Sequence, residues 1–278
     1  MSDTPSPAFV APTLDDAILV VERGVATFTM NRDDVRNELT GTALASDIVK
    51  VVDAINNEPS ISVLIVTGAG NAFSAGGNVK HMKSREGSFG GDVYTVQNKY
   101  RRGIQQIPLA LDRLEVPSIA AINGPAIGAG FDLANMCDMR IAADTMVAGS
   151  TFVNLGIVPG DGGVTFLERL VGYQRAAELV FRGRLISAEE AQRLGIVLEV
   201  VPRDELMATA LKYARDIARK PPRTIRLTKR LLRSSRNMEL APFLDLCAAF
   251  QGMCHDSADH HEAVSAFLEK REPHYSGR

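Results

Sequence analysis

Two glycine-rich turns, and two aspartates beside them, hold the residue types from which a reactive site could be built. The first turn runs Thr67-Gly68-Ala69-Gly70-Asn71-Ala72-Phe73-Ser74-Ala75-Gly76-Gly77-Asn78. The second runs Asn123-Gly124-Pro125-Ala126-Ile127-Gly128-Ala129-Gly130-Phe131-Asp132. Glycine lacks a Cβ, so it permits φ > 0 and lets main-chain N–H groups come close to a bound atom. The second turn opens straight into a helical pattern. That sets the N–H groups of Ala129 and Gly130 at a helix N-terminus, where partial positive charge favours an anion. Two such donors converging on one oxygen form an oxyanion hole, and losing a single donor typically costs about 2.7–4 kcal/mol of transition-state stabilisation. The same turns also suit a nucleotide phosphate. However, G-x-G-x-x-G with an acidic residue at the next strand end is missing, as is a Walker lysine, and Thr67-Gly68-Ala69-Gly70 has no Tyr-x-x-x-Lys partner. Asp132 falls in the first turn of a helix, where a carboxylate complements the dipole. Asp161, in Pro159-Gly160-Asp161-Gly162-Gly163, precedes a helical pattern over 164–171 and suits an N-cap.

The elements that position these turns follow from hydrophobic period. Residues 18–30 alternate around Arg23-Gly24, with Val25, Thr27 and Thr29 on one face and Ala26, Phe28 and Met30 on the other, the mark of a β-hairpin. Leu39, Ala43, Leu44, Ile48, Val51, Val52 and Ile55 recur at helical spacing and stop before Pro59. Residues 61–68 (ISVLIVTG) form a short, continuously apolar run, as expected of a parallel strand buried on both faces. A polar stretch over 80–106 reads as a mobile segment. A helix around 104–114, the strand PSIAAING, a short helix over 131–137 and the strand MRIAA then repeat the alternation. Strand, turn and helix in rotation predict an α/β fold with a parallel sheet. Ser187 and Glu190 form a capping box, and amphipathic segments over 204–219, 224–234, 242–253 and 262–270 make the C-terminal part helical.

Composition narrows the function classes. The 278 residues are 45% hydrophobic and 23% charged, with a formal net charge of -2. That is an ordinary globular balance with no basic footprint for nucleic acid. No window carries the roughly 18 uncharged apolar residues a membrane span needs, and the N-terminal stretch has no signal-peptide pattern. Cys137, Cys247 and Cys254 are too few and too irregularly spaced for a disulfide framework, which suits the cytoplasm. Cys254, His255, His260 and His261 lie within eight residues, but their spacing matches no standard zinc site, so no metal is expected.

Six ordered motifs together resemble one family. VATFTMNRDDVRNEL (25–39), AFSAGGNVKHM (72–82), AINGPAIGAGFDLANMCDMRIAAD (121–144) and LGIVPGDGG (155–163) resemble the successive signatures of the crotonase, or enoyl-CoA hydratase/isomerase, family. Gly183-Arg184 with Ser187-Ala188-Glu190-Ala191, and then Ala266 to Arg271, continue the likeness, which covers about residues 18–273. It implies a crotonase-like spiral of ββα units with a helical C-terminal trimerisation region. Residues 1–15 are then a flexible lead, 16–200 the spiral acyl-CoA-binding core and 201–278 the helical region. An acyl-CoA thioester is implied as substrate, with coenzyme A as part of it and no separate cofactor, in a homotrimer or a hexamer built as a dimer of trimers. By motif position the oxyanion donors are the N–H groups of Gly77 and Ala129. The substrate lies near Arg36, Ala75, Gly76, Asn78, Val79, Lys80 and Gly128, with Phe267 and Lys270 from the same or a neighbouring subunit.

Departures from the family pattern bear on the reaction. Hydratases hold a water between two glutamates; the matching positions here are Asp132 and Phe152. The first keeps a carboxylate on a shorter arm, and the second puts a phenyl ring where a carboxylate would orient water. Asp161 stands where most hydratases have a small residue, and the dienoyl-CoA isomerase branch is similar in having aspartates at both matching positions, though it also has a glutamate at the position of Phe152. The resemblance therefore implies an enoyl- or dienoyl-CoA enzyme with Asp132, and Asp161 beside it, as acid/base, and proton transfer in preference to hydration. The alternative is a catalytically weak acyl-CoA-binding protein that lacks the second glutamate. His81, Asn78 and Cys137 read as a surface histidine, a turn residue and an inert buried thiol.

Overall fold

In the computed structural model, which describes residues 9–278, the apolar runs of the sequence become strands of one six-stranded sheet covered on both faces. Strands β1 (Ala17–Glu22) and β2 (Val25–Met30) form the expected hairpin, turning at Arg23 and Gly24, both with positive φ. Helix α1 (Leu44–Asn56) carries the predicted apolar face, burying Leu44, Ile48, Val51, Val52 and Ile55. Strand β3 (Val63–Gly68) is buried at every position and pairs in parallel with β2.

The polar stretch that follows differs from expectation. It is helical: α2 (Val79–Ser84), a 3-10 turn (Gly87–Phe89) and α3 (Val93–Arg102), leading into α4 (Gln106–Arg113). Caps hold the new helices. The Asn78 side chain accepts the His81 N–H at the start of α2, and Asp92 accepts the Thr95 N–H at the start of α3.

From here the chain winds as a spiral in which each turn adds a strand to the large sheet, a short strand to a smaller one, and a helix. Strand β4 (Ser118–Ile122) joins the large sheet, β5 (Ala126–Ile127) the small one, and α5 (Ala129–Met136) closes the turn. The next turn repeats this with β6 (Met139–Ala143), β7 (Val147–Gly149) and α6 (Gly163–Arg182), which bends at Gly172. Strand β8 (Ile186–Ser187), α7 (Ala188–Arg193) and β9 (Glu199–Val201) complete the two sheets, ordered β1-β2-β3-β4-β6-β9 and β5-β7-β8. Ser187 caps α7 by accepting the Glu190 N–H at 3.3 Å, as its motif predicts.

Two apolar cores explain why β3 and β4 are unbroken runs. One face of the sheet, with Phe28, Leu64, Val66, Ala120 and Ile122, meets α1, α4 and α5. The other, with Val63, Ile65, Ile119, Ala121 and Ile141, meets Leu206, Ala210 and Ala214 of α8 (Leu206–Ala218). Each fully buried aliphatic side chain contributes about 1.5–3 kcal/mol, so a polar residue on either face would be costly. Helices α9 (Pro222–Ser234), α10 (Leu240–His255) and α11 (Ala258–Glu269) follow. Arg226 ties α9 to the core by donating to the carbonyls of Ile55, Glu58 and Ile61. Of the expected N-terminal lead, residues 1–8 lie outside the described residues, while Phe9 and Leu14 pack on the first core.

Candidate active site

The two glycine turns leave the C-terminal ends of β3 and β4 and are stitched face to face. The N–H groups of Phe73 and Ser74 donate to the Pro125 carbonyl, and the Ile127 N–H donates to the Ser74 carbonyl at 2.9 Å. Two buried asparagines brace the first turn. Asn37 Nδ2 donates to the carbonyls of Ala69 and Ala72, and Asn123 Nδ2 to those of Gly70 and Ala72. Packing requires glycine where the two turns meet. A Cβ on Gly76, where φ is 78°, would run into the Ile127 carbonyl; one on Gly130 would run into that of Ser74.

Gly77 and Ala129 both line a cavity beside these turns, and among the described residues neither N–H donates to a protein acceptor. Each donor is nevertheless aimed. In a trans peptide the N–H of one residue points opposite to the carbonyl of the residue before it. The Gly76 carbonyl accepts the Leu39 N–H at 2.7 Å, which fixes the plane carrying the Gly77 N–H. The Gly128 carbonyl accepts the Asp132 N–H at 3.0 Å, which fixes the plane carrying the Ala129 N–H. Free donors on one cavity wall, one at a helix N-terminus, can hold an anionic oxygen.

The cavity is narrow, with a volume of about 80 Å³, and opens to solvent. Its walls are mainly apolar, from Met82 of α2, Phe89, Tyr100 of α3, Ile104 and a 3-10 segment with Phe152 and Leu155. The Phe152 ring lies beside Gly128, where a Cβ would meet it at an ordinary 3.7 Å, so it is the φ of 54° and not the ring that calls for glycine there. Tyr100 meets Phe89 edge to face, with centroids 6.4 Å apart, and its ring covers Gly160.

Asp161, 4% exposed, is the one carboxyl residue that lines this space, beside the hydroxyl residues Thr40, Tyr100 and Thr151. Asp132, 1% exposed, lies behind it and does not reach the wall. The two carboxyls lie close enough to interact, and neither Oδ2 has a hydrogen-bond partner. Burial, and then the charge of Asp161, push the Asp132 carboxyl well above the usual aspartate range. Burial also raises Asp161, but the interaction with Asp132 and a hydrogen bond from the Gly163 N–H oppose that rise. Two carboxylates this close cannot both ionise, so Asp132 keeps a proton and Asp161 carries the charge. Asp161 Oδ1 accepts the Gly163 N–H at 3.2 Å, which gives the capping expectation half its due. Gly162 holds the N-cap position itself, and the other oxygen of Asp161 is buried without a partner.

The remaining expected residues divide. Ala75, Gly77, Val79, Gly128, Ala129, Phe152 and Asp161 line the cavity. Gly76 lies just behind the wall, and Asn78 caps α2 while donating to Glu38 at 2.8 Å. Arg36 is exposed with φ 52°, and its carbonyl accepts the Ala75 N–H; Lys80 is exposed on α2. Phe267, 83% exposed, and Lys270 lie at the end of α11 and do not line the cavity. Cys137 is buried and its thiol is pushed up to about 12 by burial, too high for a nucleophile at neutral pH. His255 and His260 hydrogen-bond to each other at 3.0 Å. Sequence reasoning missed Met82, Phe89, Tyr100 and Ile104. The signal was there in Val96, Tyr100 and Ile104, which recur at every fourth residue.

Known proteins of similar sequence and structure share this architecture. The family profile described as enoyl-CoA hydratase/isomerase matches residues 21–278. The 2,3-dehydroadipyl-CoA hydratase of Escherichia coli is 34% identical over 265 residues, 95% of this chain and 100% of that protein. The short-chain-enoyl-CoA hydratase of Clostridium acetobutylicum is 36% identical over 260 residues, 93% of this chain and 96% of its own. The crystal structure of enoyl-CoA hydratase from Bacillus anthracis superimposes with a TM-score of 0.85 at 34% identity, covering 95% of this chain and 100% of that one.

Proposed function

The chain belongs to the enoyl-CoA hydratase/isomerase family, and from that premise we propose that it shifts a double bond along the acyl chain of an enoyl- or dienoyl-CoA thioester by moving a proton between two carbons. The thioester carbonyl oxygen accepts the Gly77 and Ala129 N–H groups. The Asp161 carboxylate takes a proton from a carbon beside the unsaturated system, and the C–H electron pair moves into conjugation and onto the carbonyl oxygen. The proton then returns to a carbon farther along the chain, and the enolate collapses to the conjugated thioester. One C–H bond breaks, one forms, and no water is consumed. Proton transfer by a positioned side chain contributes about 10²–10⁴-fold to such a step.

The carboxyl pair carries this reading. Asp161 lines the cavity, and the interaction with Asp132 favours its ionised form, the form a base needs in order to take a proton from carbon. Phe152 at the cavity wall supports isomerisation over hydration, since its ring offers nothing to orient water. The reaction calls for no resident cofactor; coenzyme A arrives with the substrate. Exposed apolar side chains on the C-terminal helices, among them Leu240, Phe267 and Leu268, support assembly into a trimer or a dimer of trimers. In that assembly Phe267 and Lys270 would meet a neighbour's substrate. The free cysteines, and the absence among the described residues of a helix able to cross a membrane, support a place in the cytoplasm.

The test is mass spectrometry of 2-enoyl- and 3-enoyl-CoA thioesters incubated with the protein in heavy water. Deuterium on carbon, with a moved double bond and no added water, is the expected result. A product heavier by one water would replace isomerisation with hydration. Phe152, in place of a second acid, also favours a weakly catalytic acyl-CoA-binding protein, which would bind these thioesters and change none of them.

A further inference from the structure

We propose that Ser74 is the positioning residue of the two N–H donors, holding both in aim through its hydroxyl and its main chain; this rests on the function proposed above. Ser74 is fully buried. Its hydroxyl donates to the Asn37 carbonyl at 2.7 Å and accepts the Gly76 N–H at 3.1 Å. With the Leu39 N–H bound to the Gly76 carbonyl, both polar groups of Gly76 are tied, one on each side of its α-carbon. Gly76 has positive φ and no side chain, so little else stops it from turning. Its carbonyl shares a peptide plane with the Gly77 N–H, and Leu39 holds that plane; the hydroxyl of Ser74 holds the plane before it, so the two bonds together fix the backbone at Gly76 and with it the direction of that donor.

The same residue grips the second donor. The Ser74 N–H donates to Pro125 and its carbonyl accepts from Ile127, two residues before Ala129. Its carbonyl and Cβ occupy the space that a side chain on Gly130 would need. Loss of the hydroxyl leaves the Gly76 N–H buried without an acceptor, and the turn then relaxes toward a conformation that satisfies it. The relaxation moves Ser74, and both donors go with it. An aiming error of about 1 Å in such a group costs on the order of 10²-fold in rate.

The experiment compares wild type, Ser74→Ala and Ser74→Cys by kcat, KM and the absorption band of a bound conjugated dienoyl-CoA. Donors that polarise the thioester carbonyl move that band to the red, a signature that a purely structural role would not alter in folded protein. We expect kcat of Ser74→Ala to fall about 10- to 100-fold with KM within about threefold, and the red shift to shrink. Ser74→Cys, whose sulfur is a weaker acceptor and donor, should fall between the two, and it carries the test if Ser74→Ala does not fold. A folded variant that keeps both the full red shift and kcat overturns the positioning role alone. A wild type with no red shift overturns the donor pair and this role together.

Discussion

Gly163 and the carboxyl of Asp132 occupy a single space: any side chain at 163 would overlap that carboxyl. The first residue of α6 therefore sets where the second turn of the spiral keeps its acid. The N–H of the same residue donates to Asp161, so a single glycine touches both members of the pair and holds them against each other.

Gly163→Ala should therefore push Asp132 away from Asp161. Overpacking of this kind costs about 1–3 kcal/mol of stability, and isomerase activity should drop with it. Gly162→Ala is the control. Its φ of 85° makes alanine strained, but nothing lies within 4 Å of the new methyl. It should lose about 1–2 kcal/mol and keep most of its kcat. Denaturant midpoints and initial rates of the two purified variants decide the matter; equal rates would detach Gly163 from the site.

The two aspartates should also separate by variant kinetics. Asp161→Asn removes the group on the cavity wall and should lower kcat by about 10²–10⁴-fold with thioester affinity nearly unchanged. Asp132→Asn keeps a hydrogen-bond donor toward Asp161 but has no proton to share, and its kcat should fall less. If Asp132→Asn proves the more damaging, the assignment of the base to Asp161 is reversed.

The pair also has a signature in stability. Asp132 is raised above the ordinary aspartate value of 3.8, so the folded protein holds a proton that the unfolded chain has released. That stability is fully present below the unfolded value and is lost as pH rises through the raised one. Asp132→Asn should accordingly gain on wild type as pH goes from about 4 to about 8, measured by urea midpoints at several pH values. The Glu262–Arg271 pair has the opposite sign: Glu262 is held down to about 2, so its contribution disappears only in acid, outside this window.

A carboxylate restored at the ring position should change the product. Phe152→Glu places an acid at the cavity wall where water can be oriented, and the hydrated thioester should form at least about 10²-fold faster than with the parent. Mass analysis of the product checks this directly. No gain would mean that the position lies too far from the acyl carbons to direct a water.

Much of the spiral was legible because its strands are buried on both faces. Apart from Ser62 and Ser118, residues 61–66 and 118–122 are apolar, and the hairpin at Arg23-Gly24 and the Ser187 cap have local signals that need no tertiary context. Helices α2 and α3 escaped notice for a physical reason. Their apolar residues, Val79, Met82, Val96 and Tyr100, face a cavity rather than a filled core. One side is therefore sparsely apolar and the rest is polar, which blurs the period. The glycine turns and the aspartates beside them could be picked out as candidates from the sequence. That Asp161 lines the cavity and Asp132 does not could not be, because that depends on how α6 crosses α5 at Gly163, a contact between residues 31 positions apart.

The division of labour between main chain and side chain bears on how such a protein can be repurposed. The donors at Gly77 and Ala129 owe nothing to their own side chains and are anchored by Leu39 and by the opening bond of α5. The groups at 132, 152 and 161 are ordinary side chains hung around them. Side chains of the second set can be exchanged while the main chain of the first stays put, so, on the function proposed above, new reactions on thioesters would be reachable by a few substitutions that leave the two donors where they are.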